Sequence, residues 1–183
     1  DLLQGQGFAI DAAEVHTAAL ATRQIVEQRG LRAHYLIHPD IEAEMGPSDP
    51  DPNVVVLGDA GPHFSFETLN TAFRLLMQGL PLLAMARNRY FKESDGLTLD
   101  LGAFVAALEY AAGTRAEVVG KPASPFFLST LHDLGLAPAD AVLIGDDLHD
   151  DIGGAQRAGI PGILVRTGKF RAGDDSNPDV RPA

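Results

Sequence analysis

Short apolar runs alternate with longer stretches of helical spacing along the whole chain. Residues 54–57 (VVVL) and 80–86 (LPLLAMA) are nearly unbroken apolar runs, as strands buried on both faces are. Residues 32–38, 116–119, 141–144 and 163–165 read as further strands. Between them, residues 12–29 carry Val15, Ala18, Ala19, Ile25 and Val26 at helical spacing, with Thr22 filling the same face and Gly30 as the stop. Asp11 and Glu14 have the spacing of a capping box at the start of that helix. Pro39 opens a short helical turn through Met45. Ser65 caps a helix to Gln78 with Phe66, Leu69, Phe73 and Leu76 on one face. Residues 101–112 are a helix stopped by Gly113, and residues 125–134 one stopped by Gly135. Residues 46–53 and 87–100 read as loops. Strands alternating with helices at this spacing predict an α/β fold with a Rossmann-like, mostly parallel sheet.

One stretch stands apart. The run 141–144 reads as a short buried strand ending at Gly145, and four carboxylates follow: Asp146, Asp147, Asp150 and Asp151. Residues 152–158 then read as a helix stopped by Gly159. Acidic residues at the C-terminal end of a parallel strand lie where open α/β sheets bind ligands. Mg²⁺ is held in such places by one or two carboxylates together with phosphate oxygens. The alternative is a solvated acidic turn capping the next helix. Lys121, fixed between Gly120 and Pro122 after the strand from 116, is expected at the same sheet rim. There its ammonium can neutralise phosphate charge, although a solvated surface lysine is the ordinary state of that residue.

Composition narrows the classes. Hydrophobic residues make up 45% of 183, which is a globular balance. The net charge of −11, without a dense Lys/Arg run, argues against nucleic acid and an anionic membrane surface as partners. No apolar run approaches the ~18 residues of a membrane span, and no signal-peptide pattern opens the chain. Cysteine is absent, so neither a disulfide nor a thiolate metal site can form, which fits a cytoplasmic location. His34, His38, His63 and His149 show no metal-ligand spacing. Phe126 and Phe127 read as core.

A strand ending in Gly120-Lys121-Pro122, a helix, and a strand ending in Gly145-Asp146-Asp147 through Asp151 together form a more specific pattern than either piece. The chain resembles the haloacid dehalogenase superfamily of phosphohydrolases, in the subfamily that carries an α/β cap. Tyr35 to Asp40, Asp59 to Gly61, Arg89 to Glu93, Ala107 to Ala111 and Arg166 to Arg171 contribute to the likeness. The resemblance implies a Mg²⁺-dependent phosphohydrolase working through an aspartyl-phosphate intermediate. The implied substrate is small and phosphorylated, such as inorganic pyrophosphate, phosphohistidine or phospholysine, or a phosphorylated side chain. It implies that Lys121 holds the phosphate, that Asp146 is a direct Mg²⁺ ligand, and that Asp151 orients a metal water or Lys121. Asp147 could assist either. It also implies a cap at residues 31–113 inserted into a core of residues 1–30 and 114–183. Arg87 and Arg89, with Lys92, Tyr90 and Phe91, would then face the substrate from a cap loop; a solvated basic loop has equal weight. A homodimer through the cap is expected on the same ground.

The family's first motif, an apolar strand ending in Asp-x-Asp-Gly, does not occur in the 183 residues. Asp49-Pro50-Asp51 has the spacing but sits in a proline-rich loop. The second motif, a strand ending in Thr or Ser, is also missing, and residues 1–7 read as the end of a helix. The expectation is therefore a fragment that begins after the second motif, stops before a final helix, lacks the nucleophile, is inactive by itself and is marginally stable. A non-catalytic, cap-bearing binding or regulatory module is the rival reading. A response-regulator receiver, which also uses acidic residues and a rim lysine, has no place for a segment as long as 31–113.

Overall fold

The structure is a computed structural model, and it describes residues 2–11 and 14–183. Residues 12 and 13, the expected first turn of the first long helix, lie outside the described residues. The Asp11–Glu14 pair does form, with the Asp11 N–H donating to Glu14 Oε2 at 2.7 Å and the Glu14 N–H to the Asp11 carbonyl at 3.0 Å. The long helix nevertheless starts later. A short turn, α1 (Leu2–Gly5), precedes α2 (Ala18–Gln28), whose N-cap is Thr17; its hydroxyl accepts the Leu20 N–H at 3.1 Å. Thr22 is fully buried on α2, and its hydroxyl is satisfied by the Ala18 carbonyl at 2.7 Å.

Four parallel strands, β1 (Ala33–Leu36), β2 (Val54–Leu57), β3 (Leu82–Ala84) and β6 (Ala116–Val118), form one sheet in the order β1-β2-β3-β6. Every residue of β2 is buried. Successive strand side chains point to opposite faces, so both faces of the sheet are covered. Helices α2, α3 (Glu42–Met45), α4 (Phe66–Met77) and α5 (Leu101–Ala112) do the covering. On α4, Ala72 and Leu76 are buried with Leu69 and Phe73 against them, whereas Phe66 is 82% exposed. Phe66 is the first residue after the Ser65 cap and overhangs the end of the packed face, which corrects its expected place in the stripe.

The stretch from 87 to 100 is more than a loop. It contains an antiparallel hairpin of β4 (Tyr90–Lys92) and β5 (Leu97–Leu99). Each strand is three residues long, too short for alternation to register in the sequence.

The second half forms a separate small unit. Strands β7 (Leu143–Gly145) and β8 (Gly162–Leu164) pair in parallel and are linked by a π-helical turn (Leu148–Gly153) running into α7 (Gly154–Arg157). Helix α6 (Ser124–Leu134) packs on α7, with Phe127, Leu131, Ala155, Ala158 and Ile160 in the shared core. Val180 turns back from the tail onto Leu148 and Ile152. The expected burial of residues 141–144 does not hold. Val142 is 53% exposed and Ile144 65%, because this sheet has two strands and a cover on one face only. Lys121 and Asp146 therefore do not share a sheet rim: β6 belongs to the first sheet and β7 to the second. Among the described residues no helix is long and apolar enough to cross a membrane.

One buried charge ties the first sheet to its helices. Glu109 on α5 is 6% exposed and accepts both Arg87 terminal nitrogens, at 3.1 and 2.6 Å, together with the Ala116 N–H at 2.9 Å. Removing one partner of such a pair leaves the other uncompensated. Glu109→Ala is expected to lower stability by about 3 kcal/mol, read as a shifted urea midpoint with an unchanged slope. Glu109→Gln, which keeps an acceptor for Ala116, should cost less.

Candidate active site

Two turns build the site, and glycine makes both approaches possible. At the end of β6 a Cβ on Gly120 would lie 2.3 Å from the Met85 carbonyl oxygen, so only glycine lets the chain pass there and deliver Lys121. The Lys121–Pro122 peptide is cis. At the end of β7 a Cβ on Gly145 would meet the Asp151 side chain at 2.5 Å. The π-helical turn starts at the Asp147 cap, whose Oδ1 accepts the His149 and Asp150 N–H groups at 3.0 and 2.9 Å. That winding brings Asp151 back beneath the loop.

Asp151 is the buried centre. Its Oδ1 takes the Lys121 ammonium at 2.7 Å, and its Oδ2 takes the Asp147 N–H at 3.2 Å. Asp146 points the other way. Its Oδ2 accepts the Lys169 backbone N–H at 2.7 Å. A Cβ on Gly168 would stand 1.8 Å from that oxygen, and Gly168 has φ +47°. Lys169 follows β8, and its ammonium lies 3.4 Å from Asp147 Oδ2.

Asp150 is held near two carboxylates and away from water. Burial first, then the Asp147 and Asp151 charges, push its carboxyl up to about 6, against the pull of Lys169 and Lys121. Asp147 itself falls below the usual range. Burial works to raise it, but the Asp150 and His149 N–H groups and Lys169 together outweigh that. Asp100, at the N-cap of α5, is raised by burial and by Asp59, with the Leu101 N–H, Lys169 and Asn88 acting the other way.

The loop after β3 closes onto this cluster. In the orientation that satisfies both neighbours, the Asn88 carboxamide nitrogen donates to Asp150 Oδ2 at 3.0 Å and its oxygen accepts from Lys169 Nζ at 3.3 Å. The Arg171 guanidinium lies over the Tyr90 ring, 4.7 Å from its centre, as a second link between the hairpin and the unit that holds Asp146.

The structure thus brings Lys121, Asp147 and Asp151 into direct contact, and Lys169 joins Asp146 to Asp147. Arg87 is not part of the cluster, since Glu109 occupies its guanidinium. Arg89 is exposed on the far end of the same loop, beside Tyr90, Leu97 and Leu99. Sequence reasoning assigned no role to Lys169, Asp150, Asn88 or Asp100. Lys169 had a legible signal, since Gly168-Lys169 after a strand repeats the logic of Gly120-Lys121. Asn88 had only its place in the 87–92 loop expected to face the substrate, and Asp100 had none.

As a cation site the cluster is spare. Among the described residues no three His, Asp or Glu side chains converge as a ready cage. Mg²⁺ needs fewer, since it keeps several waters and takes one or two carboxylates. Asp147 and Asp151 have both oxygens engaged by protein donors, while Asp146 keeps Oδ1 clear of any donor among the described residues. Four carboxylates facing two ammonium groups leave a negative balance that a divalent ion matches. The donor set fits Mg²⁺ through Asp146.

A family model described as HAD-hydrolase-like matches residues 118–183. The phospholysine phosphohistidine inorganic pyrophosphate phosphatase of Rattus norvegicus is 48% identical over 183 residues, covering 98% of this chain and 68% of that protein. The chain belongs to the haloacid dehalogenase-like hydrolase family. The haloacid dehalogenase-like hydrolase domain-containing protein 2 of Bos taurus, another member, is 48% identical over 179 residues, covering 96% of this chain and 68% of that one. Among solved structures, the 4-nitrophenylphosphatase of Thermotoga maritima superposes with a TM-score of 0.90 at 24% identity, over 98% of this chain and 72% of that one. This last likeness bears on the fold, an α/β architecture with a mostly parallel sheet.

Gly168→Ala tests how Asp146 is held. The added methyl group and the left-handed φ are expected to drive the carboxylate off the Lys169 amide. Hydrogen exchange at that amide should then quicken by about tenfold, the loss of roughly one hydrogen bond.

Proposed function

We propose that this chain carries the phosphate-holding and Mg²⁺-holding side of a phosphohydrolase active site. The proposed substrates are small and phosphorylated, such as inorganic pyrophosphate, phosphohistidine or phospholysine, or a phosphorylated side chain. The observation that carries the reading is Asp151 clamped between the Lys121 ammonium and the Asp147 amide, with Asp146 turned outward beside them. Asp151 keeps Lys121 aimed through their 2.7 Å ion pair. Lys121 neutralises charge on the phosphoryl group as it transfers, which is most of what this reaction asks of a protein. Asp146 would hold Mg²⁺, which polarises the phosphoryl oxygens when bound. Asp147 caps the turn and sets the height of Asp151.

The aspartyl-phosphate route needs a nucleophilic aspartate, and no strand ending in Asp-x-Asp-Gly occurs in these residues. The proposed division places a cap at residues 31–113 within a core of 1–30 and 114–183, with β6 hydrogen-bonded into the cap sheet before the chain crosses at Gly120. A cytoplasmic location and a homodimer through the cap belong to the same proposal, as do the lack of a nucleic-acid or membrane partner and an approach of Arg89 to substrate.

The second reading is a phosphatase-like module of the same fold that binds without catalysis. Assays with Mg²⁺ and pyrophosphate separate the two. The 183-residue chain alone is expected to show no turnover. Joined to an N-terminal segment bearing the strand and Asp-x-Asp-Gly, it is expected to turn over, and Asp146→Asn should lower that rate by 10²-fold or more. Turnover by the chain alone would sink the division of labour, and none from the extended chain would favour the binding module.

A further inference from the structure

A second lysine, Lys169, stands in the cluster beside Lys121. The Lys169 side chain is 18% exposed, so most of it is out of water. An ammonium in that position among carboxylates should collapse onto the nearest one, as Lys121 does at 2.7 Å from Asp151. Lys169 does not. It stops 3.4 Å from Asp147 Oδ2, and the Asn88 carboxamide oxygen takes the other side at 3.3 Å. The Asn88 nitrogen meanwhile satisfies Asp150, which would otherwise compete for the same ammonium. The Lys169 main chain is pinned by Asp146, so only the side chain is free to choose.

We propose that Lys169 is a second phosphate-binding cation of this site, and that Asn88 is its positioning residue. The inference rests on the phosphohydrolase reading above and deepens it. Charge supports it. With Lys121 and one divalent ion alone, the four loop carboxylates keep an excess negative charge before any phosphate arrives. Lys169 cancels that excess among the four loop carboxylates, and Asp100 nearby adds to the negative charge it offsets, so a dianion meets less repulsion with Lys169 present. Asn88 suits the positioning task because a carboxamide offers a donor and an acceptor together. It comes from the loop after β3, in the other sheet. The arrangement that aims Lys169 therefore exists only while that loop lies against the acidic turn.

Titration calorimetry with inorganic phosphate in the presence of Mg²⁺, at pH 7.5 and low salt, tests this on the chain as it stands. Lys169→Met is expected to weaken phosphate binding about tenfold, comparable to Lys121→Met, as loss of one charge-assisted hydrogen bond does. Lys169→Arg should recover most of it, which a purely structural role would not predict. Asn88→Ala should weaken phosphate several-fold with little change in melting temperature, and it decides the matter if Lys169→Met fails to fold. Unchanged affinity in Lys169→Met or Asn88→Ala, beside a loss in Lys121→Met, would overturn the inference and leave the phosphohydrolase reading intact. No phosphate binding by the unaltered chain would overturn both.

Discussion

The contact between Asp151 and Lys121 carries more of this structure than its size suggests. Lys121 leaves the four-stranded sheet at Gly120, and Asp151 lies in the turn after β7, in the two-stranded sheet. Their 2.7 Å ion pair joins one unit to the other at the place where the chemistry is expected. Desolvating a carboxylate is costly, and a buried pair is worth its cost only when the remaining lone pairs are satisfied. Asp151 meets that condition through the Asp147 N–H. Asp147 is in turn held by the His149 and Asp150 N–H groups, so the turn, the ion pair and the cap support one another.

Around that contact the positions that look permissive are the constrained ones. Gly120, Gly145 and Gly168 each stand where a methyl group would collide, with the Met85 carbonyl, with Asp151 and with Asp146 respectively. The three glycines bring backbone against backbone or backbone against carboxylate. The charged residues then follow the backbone to their places.

The cations divide by what holds them. Arg87 is consumed by Glu109, a buried carboxylate that also serves the Ala116 amide, and so works for the fold. Lys121 and Lys169 face acidic residues that form one loop. Arg171 stacks over Tyr90 and helps close the hairpin onto the second unit. A basic stretch such as 87–92 thus splits into a structural arginine, an exposed one and a carboxamide neighbour with a better claim on the site.

By itself the sequence determined the α/β alternation, the bounds of β2 and α5, the Ser65 cap, and the family resemblance carried by Gly120-Lys121-Pro122 and Gly145-Asp146-Asp147. These are local features: four consecutive apolar residues, a capping hydroxyl and a glycine stop act over a few residues, and their signals are written beside them. It also pointed to Lys121, Asp146, Asp147 and Asp151 as neighbours. Only the tertiary structure decided that β6 and β7 lie in different sheets, that residues 141–144 leave one face open, and that a hairpin occupies the loop after β3. It alone brought Asn88 to Asp150 and Lys169. Such outcomes depend on which distant surfaces cover which strands and which carboxylate lies nearest each cation, and no spacing along the chain records either.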